Sequence, residues 1–127
     1  THQHRACVDA GQSWVARHNV QPVGFILTRP MDAALFILEL SVQPDWQGKG
    51  IGRALIAKAA EAARERSFHA LTLTTFLQVP WNAPFYTSLG FEVLEDSALT
   101  PELRERREME TAHGLAWESR CAMRLLL

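Results

Sequence analysis

Cysteine is scarce in this chain: Cys7 and Cys121 are the only two in 127 residues. No disulfide framework of the kind that staples small secreted domains can be drawn from them, and a reduced, cytoplasmic protein is the expectation. Long apolar runs are missing as well. None reaches the ~20 residues that cross a bilayer, and no charged-then-apolar leader opens the chain, so no membrane partner is expected. An excess of one charge is also absent. The 13 basic and 14 acidic residues leave a formal charge of -1, which gives no reason to expect nucleic acid as a partner. His2-Gln3-His4 offers two imidazoles without further spaced ligands, whereas zinc usually takes three or four protein ligands, so no metal is expected. No internal repeat and no low-complexity segment occurs.

What is present suits one globular domain over residues 1–127. Apolar residues make up 47% and charged residues 21%, the balance of a chain that buries one core and keeps a wet surface. Residues 1–11 are mixed, and a frayed N-terminus is the default, with Cys7-Val8-Asp9-Ala10 able to end a short helix at Gly11. Ser13–Arg17 and Val23–Thr28 read as strands around a turn at Asn19–Pro22. Arg29-Pro30-Met31-Asp32 reads as the next turn. Ala34–Val42 is a third strand, apolar on both faces as a central strand should be. Together these make an antiparallel meander.

Ile51–Arg66 carries apolar residues at Ile51, Leu55, Ala59 and Ala62, with Lys58, Glu61, Arg64 and Glu65 for the wet face of a helix. Ala70–Leu77 reads as a strand. Strand, helix, strand with one crossover predicts parallel pairing between 34–42 and 70–77. Asn82 is a natural helix cap, with Pro84 in the first turn and Gly90 as the stop of a short helix. Alternating charges over 100–113 predict a solvated helix capped by Thr100 and stopped by Gly114. Arg120–Leu127 is expected as a final strand that closes the sheet and is able to pair across a homodimer.

The chemistry concentrates in Gln47-Gly48-Lys49-Gly50-Ile51-Gly52-Arg53, a glycine-rich turn between strand and helix. Such a turn leaves backbone N–H groups unpaired at the positive end of a helix, a site for phosphate. The spacing is not that of a dinucleotide fingerprint, because Arg53 stands where the third glycine would be. Nor is it the loop of nucleoside triphosphatases, because Gly50 follows Lys49 where serine or threonine is needed. It does match Gln/Arg-x-x-Gly-x-Gly through Gln47, Gly50 and Gly52. Farther on, Phe85-Tyr86 on a short helix is followed by Leu89-Gly90-Phe91 and a strand. With these two blocks in this order the chain resembles the GNAT superfamily of N-acetyltransferases, over roughly residues 12–127.

The resemblance implies an α/β fold: a mixed, mostly antiparallel twisted sheet with a central parallel strand pair and flanking helices. It implies acetyl-coenzyme A as co-substrate, its pyrophosphate cradled by Gln47, Gly48, Lys49, Gly50, Ile51, Gly52 and Arg53. It implies backbone N–H groups at Leu40, Ser41 and Val42 that pair with the pantetheine and the acetyl carbonyl; the plain alternative is an ordinary strand ladder there. It implies Tyr86, the only tyrosine, as proton donor to the coenzyme sulfur, where a packing role is the alternative. Many members carry an asparagine on the coenzyme at the position that Val79 fills here, so Asn82 either replaces it or only caps its helix. Trp81 is a candidate lining of the channel. The family's first strand and helices are missing or reduced to residues 1–11, and the expectation is a chain without its natural start, since an exposed sheet edge is a liability.

Glu39 is the candidate base, an acid in an otherwise apolar strand whose pKa burial would raise; pairing with an arginine or facing solvent are its alternatives. His69 and His113 are weaker candidates. No cysteine lies near the motifs, which agrees with direct attack by a primary amine of a small molecule or peptide, without an acyl-enzyme. The rival is a coenzyme-A-binding sensor that kept the fold without turnover.

Overall fold

The computed structural model describes residues 2–5, 12–77, 82–114 and 117–127, with backbone alone at 2–5 and 118. The chain forms two compact units, Thr1–Leu71 with Leu127, and Thr72–Leu126.

In the first unit, β1 (His2–Arg5), β2 (Gln12–His18), β3 (Gln21–Met31) and β4 (Ala34–Val42) form an antiparallel meander in that order. Residues 2–5 thus add a strand where the sequence suggested a frayed end. The two tight turns are shorter than expected. Asn19 and Asp32 both take φ near +58°, a left-handed conformation that Asn and Asp tolerate better than other non-glycine residues. One such residue reverses the chain within two positions, so β3 runs on through Arg29 and Pro30 to Met31.

The register of β3 on β4 slips once. Leu27 faces Glu39 while Thr28 faces Ile37, so Leu38 is an extra, unpaired residue in β4. Such a bulge bends a strand and re-aims its side chains. From Ala34 to Ile37 every β4 residue is buried. Beyond the bulge, Leu38, Glu39 and Ser41 are exposed, and Leu40 and Val42 are half-buried. The expectation of a buried Glu39 is therefore corrected: the bulge turns its carboxylate out to solvent.

Helix α1 (Ile51–Glu65) lies on β2, β3 and β4 and buries Leu55, Ile56, Ala59, Ala60 and Ala63 over Trp14, Ile26 and Leu35. The three alanines let the helix axis approach the sheet closely. Its first residue needs Gly24 beneath it: a Cβ on Gly24 would stand 2.9 Å from the Ser41 carbonyl oxygen and 3.2 Å from Ile51 Cγ2. After the helix, the His69 N–H donates to the Ala33 C=O at 3.0 Å, just ahead of β4 and of β5 (Ala70–Phe76). The two strands start side by side and run parallel, as the crossover predicted.

The second unit continues β5 and places β7 (Arg120–Leu126) between it and β6 (Glu92–Leu94). Leu77 N–H meets the Ser119 C=O at 2.9 Å, and Glu92 pairs antiparallel with Arg124. The final strand is therefore interior and has a neighbour on each side. The expectation that it pairs across a dimer is corrected, because an interior strand has no free N–H and C=O row to offer.

Helix α2 (Ala83–Ser88) ends ahead of Gly90, at φ +101°. Helix α3 (Pro101–Ala112) is capped as predicted by Thr100, whose hydroxyl accepts from the Leu103 N–H at 3.4 Å. It is not merely solvated. Arg107 is 4% exposed; its guanidinium lies 4.0 Å from the Trp117 ring centroid and donates to the Trp117 C=O. Glu110 accepts from Thr74 Oγ1 at 2.6 Å and from Arg120 Nε at 3.0 Å. Charge balance along the helix hid this, because Arg107 is buried and Glu110 half-buried only with partners brought from β5, β7 and the segment after α3.

Candidate functional site

In the first unit the chain leaves β4 through a short 3₁₀ turn (Pro44–Trp46) and enters α1 at Gly50. Gln47 folds back, its Nε2 donating to the Val42 C=O at 3.1 Å. The Gln43 N–H donates to the Val23 C=O at 2.8 Å, and Gln43 Nε2 reaches the Pro22 C=O at 3.2 Å. The His18 and Trp46 rings are in contact with centroids 4.7 Å apart and planes tilted by 41°, tying the β2–β3 hairpin to the same turn. The loop is thus held from β3, from β4 and from the hairpin before it reaches its glycines.

Gly48 and Gly50 then take φ of +77° and +84°, and a Cβ on either would meet nothing within 4 Å. Space does not forbid a side chain there; backbone conformation does, at about 1–2 kcal/mol. The first helical bond runs from Ala54 N–H to Gly50 C=O at 3.0 Å. The N–H groups of Ile51, Gly52 and Arg53 therefore precede the ladder and carry the positive end of the helix. Helices usually place an acid in this turn, and α1 has none. Instead Lys49 and Arg53, both exposed, add positive charge there. Cations at a helix N-terminus are unfavourable in the free protein; an anion reverses the sign. Leu40, Ser41 and Val42 lead directly into this loop and are paired on one side with Ile26, Phe25 and Gly24.

In the second unit, Tyr86 is buried on α2 between Phe85 and Phe91, with ring centroids at 5.2 Å and 5.5 Å, both edge-on. Burial pushes its phenol from 10.0 up to about 12. Because the folded value lies above the unfolded one, the neutral phenol is favoured. The resulting stability is fully present below pH 10 and is lost as pH rises through about 12. The chain has a single tyrosine, so a spectrophotometric titration at tyrosinate wavelengths reads this group alone. The expected midpoint is about 12 in the folded protein, moving to about 10 in denaturant. A folded midpoint at the ordinary value would place the hydroxyl in water.

Asn82 stands at the α2 cap position and its backbone C=O accepts from the Tyr86 N–H at 3.0 Å, yet its side chain makes no capping hydrogen bond. Its φ and ψ of −113° and −108° are not those of a capping residue. His113 Nδ1 meets the Met109 C=O at 2.8 Å, which accounts for it as a helix end, and the His69 side chain is exposed. Burial pushes the Cys121 thiol up, against the opposing guanidinium groups of Arg107 and Arg120, so it is held as an inert thiol. The expectations placed on Cys7, Val79 and Trp81 and on the side chains of His2 and His4 lie outside the described residues. Among the described residues, no three His, Cys, Asp or Glu side chains converge as metal ligands, and no helix is long and apolar enough to cross a membrane.

The first unit thus brings residues 40–53 into one continuous feature, and the second brings Asn82 and Tyr86 onto one short helix. Three contributors escaped the sequence: the Leu38 bulge, the His18–Trp46 ring contact and Gly24. Only Gly24 left a signal, since a lone glycine in an apolar strand marks a close backbone approach.

The acetyltransferase (GNAT) domain model matches residues 9–93. An uncharacterized N-acetyltransferase of Methanocaldococcus jannaschii is 35% identical over 89 residues, covering 65% of this chain and 39% of its own. N-acetyltransferase 8 of Mus musculus is 30% identical over 90 residues, covering 66% and 40%. The chain therefore spans about two fifths of the length of these relatives. N-acetylglutamate synthase of Neisseria gonorrhoeae, crystallised with coenzyme A and N-acetyl-glutamate, superposes with a TM-score of 0.73 at 18% identity. That match covers 91% of this chain and 25% of the synthase and is a likeness of fold.

Proposed function

The chain belongs to the GNAT acetyltransferase family, and from that premise we propose that it binds acetyl-coenzyme A and moves the acetyl group to a primary amine. The observation that carries this reading is the start of α1. There, two glycines in left-handed conformation, three N–H groups ahead of the helical ladder and two exposed cations meet where an acid would ordinarily sit. That arrangement calls for a ligand of concentrated negative charge, and a pyrophosphate supplies it. Gln47, Gly48, Lys49, Gly50, Ile51, Gly52 and Arg53 hold the pyrophosphate in this reading. Leu40, Ser41 and Val42 offer backbone groups to the arm of the coenzyme. Asn82, its side chain not used for capping, is a further contact.

The transfer is direct. The amine nitrogen attacks the thioester carbonyl carbon, the C–S bond breaks, and the amine gives up one proton while the departing thiolate takes one. Tyr86 donates a hydrogen bond to the sulfur as charge builds there, and solvent completes its protonation. Its raised pKa keeps it protonated at any working pH. Glu39 is the candidate acceptor for the amine proton, from the solvent-facing side of β4 and by way of water. A cysteine-bound acyl intermediate gains no support from Cys121, which is buried. The test is release of coenzyme A thiol from acetyl-coenzyme A across a panel of small amines, amino acids and peptide N-termini. Amine-dependent release with at least one class is the expected result. Binding without release for every amine would favour the sensor reading instead.

A further inference from the structure

Two successive residues of β3 touch both the strand and the helix of the candidate coenzyme site. The register of β2 on β3 slips at Val23: Ala16 faces Gly24 while Arg17 faces Pro22, so Val23 is an extra residue in β3. Its C=O accepts from the Gln43 N–H at 2.8 Å, which fixes the point where the chain leaves β4. Gly24 follows, paired with Val42. A Cβ on Gly24 would stand 2.9 Å from the Ser41 carbonyl oxygen, 3.2 Å from Ile51 Cγ2 and 3.5 Å from the Val42 Cα.

Gly24 differs in kind from Gly48 and Gly50. Its φ is not left-handed, so conformation does not call for glycine there; space does. The nearest neighbour is a backbone oxygen, which no change of rotamer can move aside. Interiors are packed too densely to absorb an extra methyl at such a point without a shift. The shift falls on β4, on the start of α1, or on both.

Those two elements carry different parts of the ligand in the reading above. The backbone of Leu40, Ser41 and Val42 meets the arm of the coenzyme, and the N–H groups of Ile51, Gly52 and Arg53 meet its pyrophosphate. Arm and pyrophosphate belong to one molecule, so the span from strand to helix has to match it. We propose that Gly24 is a positioning residue for the coenzyme: having no side chain, it sets that span. This role rests on the acetyl-coenzyme A reading. A ligand that engages both elements feels the span, and a ligand that engages only the helix start does not, because the three N–H groups move together with α1.

The experiment compares Gly24→Ala with the wild type by calorimetry. One ligand is acetyl-coenzyme A; the other is adenosine 3′-phosphate 5′-diphosphate, which carries the pyrophosphate and lacks the arm. Misplacing binding groups by ~1 Å costs about a hundredfold, so a smaller shift should weaken acetyl-coenzyme A about tenfold and leave the diphosphate within about twofold. Ile51→Ala removes the Cγ2 contact, so Gly24→Ala should cost acetyl-coenzyme A less in that background, a coupling that the double-mutant cycle reads. If Gly24→Ala alone does not fold, the two ligands are compared between Ile51→Ala and the double variant. Equal losses for both ligands would make Gly24 a general support of the fold and overturn the proposal, as would an unchanged affinity for acetyl-coenzyme A. A folded wild type that binds neither ligand would overturn the acetyl-coenzyme A reading itself, and the proposal with it.

Discussion

Gly50→Glu should abolish acetyl-coenzyme A binding, measured by calorimetry, in a protein that still folds. Gly50 has φ +84° and open space around its missing side chain. A glutamate there meets no clash, so the fold loses only the conformational penalty of about 1–2 kcal/mol. Binding loses much more. The new carboxylate stands at the mouth of the N–H cradle, opposite a ligand that carries its own negative charges. At ~5 Å and an effective dielectric of ~20, each charge pair repels by about 3 kcal/mol, on the order of a hundredfold in affinity. Gly114→Glu is the matched control, because Gly114 has φ +96° and equally open surroundings but lies after α3. Both variants should show the same small drop in urea midpoint, and only the first should lose the ligand. Wild-type affinity in Gly50→Glu would remove the pyrophosphate from residues 47–53.

Tyr86→Phe should lower kcat by about ten- to a hundredfold while the affinity for acetyl-coenzyme A stays within about threefold, the pattern of an interaction made mainly in the transition state. The size follows from the phenol itself. A thiolate whose thiol has pKa ~8.5 cannot take a proton outright from a group held near 12 without an uphill cost of about 5 kcal/mol. In the proposed transfer Tyr86 therefore acts as a hydrogen-bond donor to the sulfur as charge builds there, and solvent completes the protonation. That places the effect at the lower end of what general-acid residues contribute. The ring contacts with Phe85 and Phe91 survive the substitution, so stability should change little and a fall in kcat would report chemistry. An unchanged kcat would make Tyr86 a packing residue.

Local chemistry was legible in the chain itself. The pairing of 12–18, 21–31 and 34–42 follows from apolar runs separated by turn residues. Helix α1 follows from its period, and α3 from Thr100 before Pro101. The parallel start of β4 and β5 follows from one helical crossover. The left-handed turn ahead of α1 was readable because backbone conformation is a local property, and Gly48 and Gly50 announce it by lacking a Cβ.

The tertiary structure decided what depends on register and on partners distant in sequence. Glu39 sits in an apolar run and reads as buried, but one unpaired residue, Leu38, is enough to put it in water, because strand side chains alternate and a one-residue slip exchanges the faces. Arg107 reads as one charge among many on a wet helix, but the Trp117 ring and carbonyl, ten positions on, let it be buried. The last strand reads as an edge because it comes last, yet β6 folds alongside it and makes it interior. In each case the residue's own properties were plain. What the sequence lacks is the identity of the neighbour, and burial, exposure and pairing are properties of neighbours.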